Sequence, residues 1–137
     1  MSTQHNIKVK DVMLSLNKFP VVKENTILKE ALEEMAPSDI GIVCIVDNNS
    51  RLLGIITDGD IRRKLLKVQK PFSAFFSDDA TQHAVSSPVT ITPNTTLKEA
   101  VHIMGEKRIW DIPVIDRHDV LVGLLHLHPA VQKLLNN

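Results

Sequence analysis

Residues 25–35 read Asn-Thr-Ile-Leu-Lys-Glu-Ala-Leu-Glu-Glu-Met and residues 94–104 read Asn-Thr-Thr-Leu-Lys-Glu-Ala-Val-His-Ile-Met, so this 137-residue chain contains itself twice, 69 positions apart. Laid without a gap on Asn94–Leu135, the stretch Asn25–Leu66 is identical at 14 of 42 positions, among them Asp47/Asp116, Leu52/Leu121, Gly54/Gly123 and Leu65-Leu66/Leu134-Leu135. A unit of about 60 residues buries only about 60% of its unfolded surface and is marginal alone. Two such units are therefore expected to pack face to face over one core, with ligand-sized clefts along their seam.

Working outward from the repeat, Leu28, Ala31, Leu32, Met35 and Leu97, Ala100, Val101, Met104 fall at the i, i+3, i+4, i+7 spacing of an amphipathic helix. Thr26 and Thr95, or the Asn before each, are the expected N-cap oxygens, and Pro37 should stop the first helix after Met35. Two apolar β runs follow around a turn cluster, Ile42–Val46 and Leu52–Thr57, repeated as Val114-Ile115 and Leu121–Leu125. Short extended segments, Pro20-Val21-Val22 and Val89-Thr90-Ile91, precede each first helix. A short helix closes each unit near Asp60–Val68 and Pro129–Leu135, the latter with Pro at its favoured first position. The expected fold is α/β in composition (α+β in arrangement): β-α-β-β-α, twice. Residues 7–68 would form the first repeat, 69–83 a linker and 84–137 the second repeat. Phe72, Phe75 and Phe76 stand out in that linker, as a strap over the seam, a dimer contact or a docking patch.

Bulk composition narrows the function. Sixteen basic residues balance sixteen acidic ones, leaving no charge excess to release counterions from a phosphate backbone, and the few aromatics are not interleaved with Lys and Arg. Nucleic-acid binding is not expected. No run approaches the roughly 18 apolar residues of a membrane span, and the start lacks a signal peptide's apolar stretch, so a cytoplasmic location is the default expectation. The single cysteine, Cys44, lies inside Gly-Ile-Val-Cys-Ile-Val and reads as a buried hydrophobe. A net charge of +0 does little to oppose self-association, which favours a homodimer.

The sharpest local motif is Leu-Leu-Gly-Ile-Ile-Thr-Asp-Gly-Asp-Ile-Arg-Arg at 52–63, a strand running into the head of a helix. Unpaired N–H groups of the first helical turn favour an anion above them. Thr57 and Asp60, three apart, stand side by side on that turn. The hydroxyl suits a phosphate oxygen and the carboxylate, which would repel phosphate, suits a sugar diol. A capping box, with the two side chains satisfying orphan N–H groups and nothing more, fits the same residues. Arg62 and Arg63 would neutralise phosphate or simply be solvated.

With the duplicated pattern, the Val-x-Asp turns and Gly-Ile-Ile-Thr-Asp-Gly-Asp-Ile-Arg-Arg in hand, the chain resembles the cystathionine-β-synthase-type (CBS) domain pair over residues 7 to 135. The resemblance implies repeats packed about a pseudo-twofold axis, dimerisation into a disc, and clefts for adenosine nucleotides or related ligands. It places Thr57 near phosphate, Asp60 on ribose, and Gly41 and Ile55 beside the base with Val21 nearby; Arg62, from the residues themselves, joins them as a nucleotide-binding candidate. A narrower likeness, carried by Thr-Asp-Gly-Asp-Ile-Arg-Arg and Gly-Leu-Leu-His-Leu-His, is to the C-terminal regulatory pair of arabinose-5-phosphate isomerases.

In the second copy Thr57 becomes His126 and Asp60 becomes Pro129, so both polar groups are lost there. Trp110 replaces Gly41, to stack on a base or, preferably, to fill the cleft. His126 and His128, two apart, would share a face within about 7 Å of each other and could touch phosphate. A zinc site needs at least three protein ligands, and none stands nearby in sequence, so no metal is expected. Sequence signatures of hydrolases, metalloproteases, P-loops and dinucleotide folds are missing as well, and no catalytic residue is assigned. The expected ligand is AMP, ADP, ATP or a CMP-linked sugar, whose occupancy would signal to an unknown regulated protein. Two alternatives stand beside this: a ligand-free module for dimerisation and docking, and the detached regulatory part of a sugar-phosphate isomerase.

Overall fold

The computed structural model describes residues 7–136, which form two compact units: residues 18–88, and residues 7–17 together with 89–136. The class is α+β, as expected.

In the unit 18–88, β1 (Val21–Lys23) runs parallel to β2 (Ile42–Val46), which runs antiparallel to β3 (Leu52–Thr57), in the order β1-β2-β3. Helix α1 (Leu28–Met35) joins β1 to β2 by way of a 3-10 turn at Ala36–Ser38, and α2 (Asp58–Leu65) leaves β3 directly. One sheet face, carrying Val22, Val43, Ile45 and Ile56, packs with Leu28, Ala31 and Ile61 of the helices. The alternation of strand side chains puts Val21, Ile42, Cys44, Ile55 and Thr57 on the opposite face.

The other unit repeats the scheme with α4 (Leu97–Lys107), β4 (Asp111–Ile115), β5 (Leu121–His126) and α5 (Leu127–Leu135). Its core holds Leu97, Ala100, Met104, Ile112, Val114 and Leu125. The repetition reaches below sequence identity. Ile42 faces Thr57 as Asp111 faces His126, both hairpins bulge at the same register, and among the described residues the four non-glycine residues with positive φ are two matched pairs, Asp39/Arg108 and Ser50/Asp119. Each hairpin turn is tied by its aspartate: Asp47 Oδ1 accepts from the N–H groups of Asn49 and Arg51, and Asp116 Oδ1 from those of His118 and Val120. These bonds, led by those from Arg51 and His118 respectively, hold both carboxyls below the ordinary aspartate value.

Several details depart from the sequence reading. The α4 N-cap is Thr96, whose hydroxyl accepts from Glu99 N–H at 3.2 Å, while Thr95 bonds Thr92 instead. The matching residue in the first copy is Ile27, which offers no cap. Helix α5 starts at Leu127, so Pro129 is its third residue rather than its first; the missing N–H is harmless there because first-turn donors have no partner inside the helix. Val89-Thr90-Ile91 forms only a single parallel bridge, Ile91 to Val114. The cause is Pro113. Its counterpart Cys44 donates to the Pro20 carbonyl at 3.0 Å, and a proline cannot make the same bond to Val89.

The largest difference concerns the segment that leads into each repeat. Residues 7–14, ahead of the first copy, bond to the second: Val9 N–H donates to Thr95, Leu97 N–H to Ile7, and Leu14 pairs with Leu124. Residues 78–85, ahead of the second copy, bond to the first in the same pattern: Leu28 N–H donates to Asp78, Ala80 N–H to Thr26, and Val85 pairs with Ile55. The copies have exchanged their leading segments. This gives Gly54 and Gly123 their reason, since a Cβ on Gly54 would lie 2.8 Å from the Val85 carbonyl oxygen and one on Gly123 would lie 2.9 Å from that of Leu14.

The expected linker is likewise folded. Residues 72–76 form α3 (Phe72–Phe76), with Phe75 fully buried in the core of the unit 18–88, edge-on to Phe76 and to His83. Asp78 is bonded by Lys70 at 2.6 Å and by His83 at 2.8 Å, contacts that lower its carboxyl below the usual value. Phe75 is thus no docking residue, while Phe72 is 61% exposed.

Candidate functional site

The end of β3 and the head of α2 assemble the expected polar group within one unit. Thr57 is the N-cap of α2, in extended conformation, and its hydroxyl oxygen accepts from Asp60 N–H at 3.1 Å. This is half of the capping-box reading. The other half is not made: the Asp60 carboxylate is bonded at Oδ1 by Arg63 Nη2 at 2.5 Å. A hydroxyl that accepts through a lone pair still has its own O–H to donate. Capping by Thr57 and a contact to a ligand's anionic oxygen are therefore compatible.

Gly41 enters through backbone geometry. Its carbonyl accepts from Asp58 N–H at 3.0 Å, fastening the entry to β2 onto the start of α2. A Cβ at this position would lie 2.7 Å from Asp58 Oδ2, and the same carboxylate accepts from Gly59 N–H through Oδ1 at 2.8 Å. A side chain at 41 would push Asp58 off the first turn of α2. Beside these residues lies a cavity of about 440 Å³, lined by Leu32, Met35, Ala36, Asp39, Ile40, Gly41 and Asp58.

Val21 and Ile55 flank Cys44 in one cross-strand row, and the neighbouring row on that face is Ile42 and Thr57. Val21, Ile55 and Thr57 thus share a sheet face, with Gly41 at its end. Arg62 is exposed on α2 and its side chain makes no ion pair or hydrogen bond among the described residues; Arg63, one residue on, is the cation that meets Asp60. Composition gave no means of choosing between these neighbours. The (i, i+3) spacing from Asp60 to Arg63 was the available signal.

The second copy is different at the same place. Trp110 keeps the backbone role of Gly41, its carbonyl accepting from Leu127 N–H at 2.9 Å, but the residue is 70% exposed in this chain, where filling a cleft would bury it. His126 occupies the cap position of α5 without capping; its Nδ1 meets Asp111 Oδ1 across the hairpin at 2.7 Å. His128 is exposed in the first turn of α5, so the two histidines lie on a strand end and a helix rather than on alternate residues of one strand. Among the described residues no helix is long and apolar enough to cross a membrane.

With the geometry established, the relationships to known proteins are direct. A family model described as the CBS domain matches residues 9–67 and 82–128. The arabinose 5-phosphate isomerase KdsD of Escherichia coli (strain K12) is 30% identical over 131 residues, an overlap that takes in 92% of this chain and 37% of the isomerase. The chain spans little more than a third of the length of the curated relatives it matches. Among solved structures, CBSX2 in complex with AMP is 25% identical with a TM-score of 0.82, covering 95% of this chain and 97% of that one. A CBS domain-containing protein of unknown function from Bacillus anthracis (str. Ames Ancestor) shares the fold at a TM-score of 0.83 and 22% identity, covering 97% and 95%.

Proposed function

Since this chain belongs to the CBS-domain family, we propose that it is a non-catalytic sensor whose first copy binds an adenine nucleotide or a nucleotide sugar at Thr57 and Asp60. The observation that carries the reading is the asymmetry of the copies: one helix head keeps a hydroxyl and a carboxylate on the same turn, and the other has His126 and Pro129 there. The Asp60 carboxylate accepts the ribose hydroxyls and the Thr57 O–H donates to phosphate, with Val21, Ile55 and Gly41 toward the base and Arg62 on the phosphate side. The solved complex of CBSX2 with AMP supports adenine nucleotides as the first ligands to try. His126 and His128 belong to a second, weaker site if any ligand enters there. The protein works as a homodimer and passes occupancy to a partner protein, which requires that ligand bind one arrangement of the chain better than another.

Isothermal titration calorimetry with AMP, ADP, ATP and CMP-linked sugars, against Asp60→Ala, tests this. A hydrogen bond to a charged group contributes about 1.5–3 kcal/mol, so the variant should bind roughly ten- to a hundredfold more weakly. Equal affinities in the two proteins would remove the site. A second reading, that the chain is the regulatory part of a sugar-phosphate isomerase acting in trans or within a longer parent, is favoured by the KdsD match along 92% of this chain. Co-purification with an isomerase domain, and a change in its rate on adding the chain, would establish it. The docking-module alternative loses one of its three phenylalanines, because Phe75 is buried.

A further inference from the structure

We infer that Arg63 is a built-in competitor for the sugar-binding carboxylate and, once displaced, the phosphate contact that makes the site prefer nucleotides to nucleosides. The inference rests on the nucleotide reading of Thr57 and Asp60. Arg63 Nη2 lies 2.5 Å from Asp60 Oδ1, so an oxygen offered to a ribose diol also accepts from a guanidinium of its own helix. The guanidinium also lies over the first turn of α2, with Nη1 and Nη2 at 3.4 and 3.6 Å from where a Gly59 Cβ would stand. This is the turn that carries the Thr57 hydroxyl.

A diol that bonds both oxygens of Asp60 meets the guanidinium at Oδ1 and competes with it there. Asp60 is 25% exposed at its side chain and Arg63 61%, so the pair is water-accessible and weak, displaceable at a cost of about two- to fivefold in affinity. Displacement leaves an unpaired guanidinium one turn from the hydroxyl assigned to phosphate. A guanidinium binds phosphate oxygens through two parallel N–H donors, which a lysine or an amide does not reproduce. A nucleoside suffers the competition and gains nothing in return. A nucleotide suffers it and recovers more on the phosphate.

Calorimetry of the intact protein with adenosine and with AMP, for wild type, Arg63→Gln and Lys64→Gln, separates the outcomes. Lys64 makes no ion pair among the described residues and its substitution removes the same charge from the same helix. Arg63→Gln should bind adenosine about two- to fivefold tighter and AMP more weakly, so the preference for AMP over adenosine shrinks at least fivefold; Lys64→Gln should leave that preference within twofold. If AMP binds all three proteins and Arg63→Gln keeps the wild-type preference, or if Lys64→Gln loses it equally, the inference is wrong while the nucleotide site stands. If neither ligand binds any of the three, the site itself is overturned, and this inference with it.

Discussion

Replacing Phe75 with alanine tests whether residues 69–83 are connecting chain or core. The ring is fully buried among Val22, Leu28, Ala31, Val43, Ile45, Ile56, Ile61 and Ala80, with ring centroids 5.3 Å from Phe76 and 4.5 Å from His83. Truncating a phenylalanine in such surroundings removes its transfer free energy and leaves a cavity, typically about 3–5 kcal/mol together. Aromatic edge contacts add about 0.5–1.5 kcal/mol each, which puts the expectation in the upper half of that range. For a chain of this size the transition should fall by roughly 15 °C. Urea and thermal unfolding should be followed by far-UV circular dichroism and by the emission of Trp110, the only tryptophan, because two compact units need not melt together. The dichroism transition should shift early, with Phe75→Leu recovering most of the loss. Phe72→Ser, at a 61% exposed position, should stay within about 0.5 kcal/mol of wild type. A Phe75→Ala protein within about 1 kcal/mol of wild type, or Phe72→Ser as damaging as Phe75→Ala, would refute the reasoning.

Two further perturbations probe the repeat itself. Gly123→Ala sets a methyl 2.9 Å from the Leu14 carbonyl oxygen and Gly54→Ala sets one 2.8 Å from that of Val85, so each should cost about 1–3 kcal/mol by forcing backbone apart. Hydrogen exchange should quicken at Leu124 N–H in the first variant and at Ile55 N–H in the second, and unchanged protection at both would count against the exchanged pairing. Asp47, Asp78 and Asp116 all carry carboxyls lowered below the ordinary value, so the unfolded chain binds more protons in acid. Their stabilisation is complete above about pH 4 and is lost as pH falls through the lowered values. Melting temperatures measured from pH 5 to pH 2 should decline less steeply in an Asp47→Asn/Asp116→Asn double variant; an identical slope would show that these turns do not drive the acid limb.

The repeat, the helical stripes and both hairpins were legible because each follows from local periodicity in residues that are mostly shared between the copies. Thr57 and Asp60 were legible as one cluster because a strand end and the next helix turn lie close in sequence. What escaped was long-range. No local pattern says that residues 7–14 bond to a strand 110 positions away, although the identity Gly54/Gly123 was its trace: a glycine kept at the same place twice, with no turn to require it, marks a close backbone neighbour. Pro113 was in plain view, yet its consequence depended on knowing that its counterpart Cys44 donates to Pro20. The choice between Arg62 and Arg63 depended on helix phase at Asp60, and the Phe cluster on a short helix too brief for periodicity to reveal.

The exchange of leading segments also bears on how such a chain arises. A gene for one half alone would encode a leading 3-10 segment without the hairpin it bonds in this chain, and a hairpin edge without the segment that covers it. Two molecules of that half-length product could satisfy both by trading those segments with each other, an intertwined pair of the domain-swapped kind. Joining the genes end to end turns that trade into an internal one. Cutting the polypeptide between its halves should therefore yield fragments that seek one another rather than two self-sufficient pieces.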